Sequence, residues 1–436
     1  MEFLRIFLSL LSIVTIALLF VRPKIGAMLY VFYIFLAPHF VIGNIVLGTR
    51  TEGLIVLLAF FPLLGKTPGI VYKLLYPFFF FYGIQFLLLP FSFDVAFSFN
   101  IWLVETSRIV IYLMLLALIY QNVQEDNGYF YAKFFLCFWA VFVGYGLYLT
   151  TMPGLNPYLI IQQPIFGGEF NEAYAAGNSG LSSSTELAEG RLFGRISSFC
   201  KSPQLYALVL GFTPILLLCF LNNKKYCIFG VFICLVAIIT CGVRTPITAM
   251  LFTFLFVLLY YNKFKYFLST IIVLVILYFL LPYLSDNIVD YIYSTIHSND
   301  SRVRGSSLEM RISQLEGCLD IIKDNPITGK GIGWTGWYNS NIGGHPKALY
   351  FESLLFSVLC NWGWIGIIVW MIFGTLYVKT IRVFVYEDKF RVALYALLVY
   401  YLLFTGITGD YGYMPHLVLF YVIIIGISSN RHPICV

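Results

Sequence analysis

Long apolar runs separated by short polar breaks recur along almost the whole chain, and one polar stretch, Ser285 to Glu352, interrupts them. The runs fall near residues 3–21, 25–45, 53–65, 74–92, 100–120, 129–149, 204–221, 226–243, 246–262, 266–283, 353–378, 392–408 and 414–428. About 20 apolar residues as a helix cross ~30 Å of hydrocarbon, so each run predicts a spanning helix. The run at 53–65 is short, which suits a tilted, re-entrant or extended span. The first run is followed by Arg22, Pro23 and Lys24 with no small-residue cleavage site, so it reads as a helix rather than a signal peptide. The predicted fold is an all-α polytopic membrane protein. It has 12 or 13 transmembrane helices in a single membrane domain, 1–436, with two long polar loops, 150–203 and 284–352. No internal repeat and no low-complexity tract is visible.

The larger loop has a pattern of its own. Ser306 and Glu309 stand at capping-box spacing. Leu308, Ile312, Leu315, Leu319 and Ile322 then recur at three- and four-residue steps, which predicts an amphipathic helix ended by Asn325-Pro326. Its apolar stripe is expected to lie on the bundle, with Arg311 beside it and Arg304 just ahead of the cap.

Composition agrees with a bundle in lipid: 60% hydrophobic, 11% charged, mean hydropathy +0.86. The net charge of +6 reflects loop topology more than a nucleic-acid partner. Lys224/Lys225, Lys263/Lys265 and Lys379/Arg382/Lys389/Arg391 mark one set of short loops as cytoplasmic, and alternation then places both long loops outside. The inner side is rich in lysine. The outer side carries Arg50, Arg191, Arg195, Arg244, Arg302, Arg304 and Arg311. Outer arginine runs against the positive-inside rule and needs another reason. The planar guanidinium grips phosphate oxygens in pairs and stays charged at any working pH. Surface pairing with outer Asp and Glu is the plainer alternative, and phosphate binding is favoured over it.

Arg244, in a turn between two apolar helices, is costly there without a partner. Glu105 and Arg108, three apart in the fifth run, read as an intrahelical pair. Asp410, at an outer helix end, reads as a solvated carboxylate or an anchor for an arginine. The sequence Gly329-Lys330-Gly331-Ile332-Gly333 has the look of a phosphate loop but lacks the Walker ending, so a turn is preferred. Glu352, at the start of the next helix, is either a cap or a base; His345 is a second candidate base. The nine cysteines show no CxxC pairing, and a Cys200–Cys318 disulfide is the only pairing the loops suggest, weakly. No metal-binding, nucleophile-elbow, Walker or DxD signature is present, so neither cofactor nor metal is expected.

These segments resemble the O-antigen ligase and polymerase superfamily of bacterial envelope glycosyltransferases. Arg195 through Ser202-Pro203 is similar to the family's Arg ahead of an aromatic, a Pro and the next helix. Gly242-Val-Arg244-Thr245 resembles its Ser-Arg turn. Arg311 through Asn325-Pro326 to Gly333 is similar to its outer helix and "NPltGkGig" end, and Glu352 to Gly366 resembles its His-Asn…Gly-x-x-Gly segment. Counting back from Gly363 and Gly366, Glu352 stands where ligases carry His. The resemblance implies an inner-membrane, multi-pass enzyme with its site facing the periplasm. Its implied substrate is an undecaprenyl-pyrophosphate-linked oligosaccharide within membrane lipid, and a chain-length regulator protein is a further implied partner. It implies metal-independent, inverting transfer, with Arg195, Arg244, Arg311 and Arg304 on the pyrophosphate and Glu352 or His345 as base. A polymerase is favoured, a ligase acting on lipid A core is second, and a lipid-glycan flippase is the rival of another class. The flippase is disfavoured because charge lies at the membrane faces rather than near the midplane.

Overall fold

The computed structural model describes residues 2–36, 39–65, 67, 69–126, 129–151, 156–158, 165, 194–200, 202–221, 223–280, 308–409 and 413–428. The chain is an all-helical, multi-pass membrane protein. Its helices are α1 (Glu2–Val21), α2 (Pro23–Leu36), α3 (Thr49–Leu64), α4 (Gly69–Leu88), α5 (Val95–Asp126), α6 (Tyr129–Thr151), α7 (Pro203–Phe220), α8 (Lys224–Thr240), α9 (Thr245–Tyr260), α10 (Phe264–Leu280), α11 (Leu308–Ile321), α12 (Trp334–Asn341), α13 (Leu354–Phe384), α14 (Asp388–Ile407) and α15 (Met414–Ser428). Among the described residues, seven helices are long and apolar enough to cross a membrane, and four shorter apolar helices accompany them.

The second run does not continue as helix to residue 45. It stops at Leu36, and a small antiparallel hairpin follows, pairing Val41–Ile42 with Ile45–Val46. The sequence carries Pro38 and Gly43 in this stretch, and both residue types oppose helix. The hairpin is tied to the bundle by Val41 N–H donating to Ser12 Oγ (3.0 Å) and Phe40 N–H donating to Glu52 Oε2 (3.3 Å).

In lipid there is no hydrophobic drive between helices, so contact packing and hydroxyl bonds carry association. Tyr377, Tyr400 and Tyr421 illustrate this: all are buried, and each donates its hydroxyl to a main-chain carbonyl (Leu394, Ala207 and Leu74) at 2.8–3.0 Å. All three bonds cross to another helix, α14, α7 and α4. Phe78, Phe81, Trp362, Trp370 and Phe373 fill the seam between α4 and α13 with tilted and edge-to-face rings.

The feature that shapes one end of the bundle is a break in α13. Gly363 has φ 61° and ψ −150° inside an otherwise helical run, a conformation open only to glycine. The part after the break, 364–384, is long enough alone to cross ~30 Å. A break at this depth frees backbone groups that lipid cannot satisfy. The segment 326–331 satisfies them. Trp364 and Ile365 N–H donate to the Pro326 and Ile327 carbonyls (2.9 and 3.1 Å), and Lys330 and Gly331 N–H donate to the Cys360 and Asn361 carbonyls (2.8 and 2.7 Å). The glycine-rich segment is therefore the turn expected, and two of its N–H groups are already spent on α13 rather than open to a phosphate.

Two further expectations change, those for the amphipathic helix and for Glu105 and Arg108. The amphipathic helix exists as α11, but its buried face is Gln314, Gly317 and Cys318. Leu308, Ile312 and Leu319 are 58%, 54% and 41% exposed. The reason is closeness: a Cβ at Gly317 would sit 2.9 Å from the Ala348 nitrogen, so the small-residue face is what lets α11 press against the 347–348 backbone. Leu308, Ile312 and Leu319 are left outward, where they suit the headgroup–hydrocarbon boundary, while Leu315 and Ile322 of the same stripe pack inward. Glu105 and Arg108 do not form an ion pair: no salt bridge joins them among the described residues. Cys318 packs with Cys360, not with Cys200. Residues Arg302, Arg304, Ser306, Arg191 and Asp410 lie outside the described residues.

Candidate functional site

Four of the described candidate residues, Arg195, Arg244, Arg311 and Glu352, converge from separate parts of the chain. Arg195 lies on a short non-helical segment, 194–200, that turns at Ser198 and is held from several sides. Ile196 N–H donates to the Cys241 carbonyl (3.1 Å). Asn156 Nδ2 donates to the Ser198 carbonyl (2.7 Å), and Ser198 Oγ donates to the Phe142 carbonyl (3.0 Å). Phe199 stacks on Tyr145 with centroids 4.4 Å apart.

The turn that receives this segment is Cys241-Gly242-Val243-Arg244. Gly242 has φ +72°, and a Cβ there would run into the Gly194 carbonyl and stand 2.8 Å from Arg195 N. Only glycine lets the two backbones meet. The same turn delivers Arg244 as the residue ahead of α9, with Thr245 and Pro246 opening the helix. Arg195 and Arg244 are thus carried on backbones in direct contact, and both residues have interaction partners.

From Arg244 the connection runs on. Thr245 Oγ1 and Thr408 Oγ1 are hydrogen-bonded at 2.9 Å. The next residue, Gly409, donates its N–H to the Glu352 carbonyl (3.2 Å). Arg311 completes the set. Its Nη1 donates to the Glu352 carbonyl (3.0 Å) and to Gln314 Oε1 (3.1 Å), and its Nη2 reaches Glu352 Oε2 at 3.3 Å. The Arg311 side chain is 15% exposed and that of Glu352 46%. Burial pulls the Arg311 guanidinium below its usual value while Glu352 pushes it back up; an arginine so shifted remains a cation at any working pH.

Glu352 is not the cap of α13. Ser353 is: its Oγ accepts from Leu355 N–H (3.2 Å) and donates to the Gly406 carbonyl (2.6 Å). The Glu352 carboxylate is left with Oε2 on Arg311 and Oε1 taking no hydrogen bond among the described residues.

His345 is placed differently. Its Nδ1 accepts from the Ala348 and Lys347 N–H groups (3.0 and 3.3 Å), and its backbone pairs with Leu349 in both directions. Burial, then the neighbouring Lys347, hold its pKa below the ordinary value. With Nδ1 used as an acceptor, the neutral ring carries its proton on Nε2 and can only donate from there. His345 shapes the loop that leads to Glu352, and no hydrogen bond joins the two among the described residues. Lys330 faces Asp324 at 3.8 Å.

Sequence reasoning missed the residues that assemble this set. Thr408, Gly409 and Asn156 carry no motif, and their part is visible only once the helix ends are brought together. Gly242 and Gly363 were within quoted motifs; their positive φ is what the motif encodes.

Residues 229–371 match the Wzy_C family model, described as O-antigen ligase. About a third of the chain is thus similar to that family, and the matched region includes Arg244, Arg311, His345 and Glu352. No curated protein matches the chain. The similarity is to membrane enzymes of O-antigen ligase and polymerase type acting in surface-polysaccharide synthesis on lipid-linked glycans, and it fits both reactions alike.

Proposed function

We propose that this chain is an O-antigen-type polysaccharide polymerase of the bacterial inner membrane. On this reading it transfers a growing glycan from undecaprenyl pyrophosphate to a lipid-linked repeat unit at the periplasmic face. The observation that carries the reading is the continuous chain of contacts from Arg195 through Arg244, Thr245, Thr408 and Gly409 to Glu352 and Arg311. It links the segments that carry Arg195, Arg244, Arg311 and Glu352.

The chemistry needs these parts. The bond from the anomeric carbon to the pyrophosphate oxygen breaks as the bond to the acceptor hydroxyl forms, and the configuration inverts. Negative charge grows on the departing diphosphate, and preorganised cations stabilise it. Arg195, Arg244 and Arg311 are assigned that task, with Arg304 as an added cation from the same loop. The acceptor hydroxyl must lose its proton, and Glu352 Oε1, which takes no hydrogen bond among the described residues, is assigned to take it. His345 is assigned a shaping role, because its Nδ1 lone pair is spent on the backbone.

The polymerase is preferred to the ligase because Glu352 occupies the position where the resembling ligases carry His. The ligase reading draws on the family model's own description and differs only in the acceptor, lipid A core. Replacing Arg244 with Lys or Ala in cells is expected to abolish long glycan chains at unchanged protein level. Normal chain lengths in Arg244→Ala would remove the pyrophosphate assignment.

A further inference from the structure

Cys318 and Cys360 sit together at the site end of the molecule. Both are fully buried, in a small cluster with Trp334, Ala348, Phe351 and Phe356. Their thiols hydrogen-bond to one another. They join two elements that matter: Cys318 lies about two turns after Arg311 on α11, and Cys360 lies about two turns after Glu352 in the first half of α13. The thiol pair therefore lies about two turns along from the Arg311–Glu352 contact, on the same two chain segments.

Two features make the pairing more than core filling. Cys318, next to Gly317, belongs to the face on which α11 presses against the 347–348 backbone, and it packs in one cluster with Cys360 of α13. Cys360 is also fixed from the other side, because its carbonyl accepts the Lys330 N–H that closes the break in α13. Neither sulfur has to move with a flexible element. Cys219, Cys227 and Cys234 lie on helices facing the rest of the bundle, and none of them is hydrogen-bonded to another thiol among the described residues.

We infer that Cys318 and Cys360 form a disulfide that staples α11 to α13 about two turns along from the Arg311–Glu352 pair. The inference rests on the proposed placement of this face outside the cytoplasm, in the compartment where disulfides persist. The step is a thiol–disulfide exchange with a protein disulfide oxidant. One cysteine thiolate attacks the oxidant's disulfide, the other resolves the mixed disulfide, and the oxidant leaves as a dithiol. The two thiols lose two electrons, the oxidant's sulfurs gain them, and both protons pass to the reduced oxidant. Exchange takes place while the loop is still closing, since the folded pair is sealed from solvent. Once closed, the bond keeps Arg311 and Glu352 at their working separation while lipid-linked chains are threaded past them.

Full-length protein in native membranes, acid-quenched and denatured, is alkylated with one maleimide, then reduced and alkylated with a second of different mass. Peptide mass spectrometry is expected to find Cys318 and Cys360 carrying the second reagent only. In Cys318→Ser, Cys360 is expected to switch to the first. Both residues carrying the first reagent in the native chain overturns the disulfide. Labelling of the Ser340→Cys variant in intact spheroplasts by an impermeant maleimide separates the causes of such a failure. Free native thiols with the introduced cysteine labelled overturn the disulfide alone; free native thiols with the introduced cysteine protected overturn the placement of this face as well.

Discussion

Arg311 grips Glu352 twice, by its backbone carbonyl at 3.0 Å and by its carboxylate at 3.3 Å. The first contact fixes where the chain enters α13. The second sets a cation against a carboxylate whose other oxygen takes no hydrogen bond among the described residues. A lysine can supply the charge but not both contacts at once, since the guanidinium fork is what spans them.

Arg311→Lys is therefore expected to lower transfer at least about tenfold, and Arg311→Ala by about 10²–10³, the range for losing one preorganised donor to a developing anion. Initial rates of pyrophosphate-lipid release at saturating substrate measure this. Wild-type rates in Arg311→Lys would show that charge alone suffices.

Glu352 and His345 are separated by their variants. Glu352→Gln keeps the size and removes the base, with an expected loss of about 10²–10⁴ in rate and with donor binding retained. His345→Asn keeps an acceptor for the Ala348 N–H and is expected to retain most activity. A reversal of these two results would move the base to His345.

The His345 ring also sets a pH dependence of stability. Its folded pKa lies below the usual 6.5, because burial and Lys347 disfavour the charged ring. The unfolded chain then binds more protons between the two values, so stability rises with pH there. The contribution is complete above about pH 6.5 and is lost as pH falls toward and through the folded value. Thermal unfolding of the detergent-solubilised protein between about pH 8 and pH 5 is expected to show this acid limb in the native chain and a shallower one in His345→Asn.

The break at Gly363 is a sensitive position in the backbone. Its φ of 61° strains any side chain, and a Cβ would press on the carbonyls of Pro326 and Ile327. Gly363→Ala is expected to cost on the order of 1–3 kcal/mol from the dihedral alone and more from the lost docking of 326–331. Denaturant midpoints, or trypsin cleavage at Lys323 and Lys330, report it.

Much of the bundle was legible in the sequence because lipid demands long apolar runs and leaves little choice. The second run misled because it contains a hairpin rich in Val and Ile, which composition cannot tell from helix. The stripe of α11 misled for a related reason. Periodicity identifies the apolar face, but Gly317 and Cys318 decide which face fits, and close fit won over hydrophobicity. Arg195, Arg244, Arg311 and Glu352 were each visible as oddities against the membrane background. Their convergence was not, because it runs through Thr408 and Gly409, ordinary residues at a helix end.

The central claim is that one site joins lipid-linked repeats to one another. Purified protein in liposomes, given undecaprenyl-pyrophosphate-linked repeat units and no lipid A core, tests it most directly. The account predicts a ladder of extended glycans with matching release of pyrophosphate-lipid, and none from Glu352→Gln. Release and extension that appear only when core acceptor is added would contradict it and make the protein a ligase.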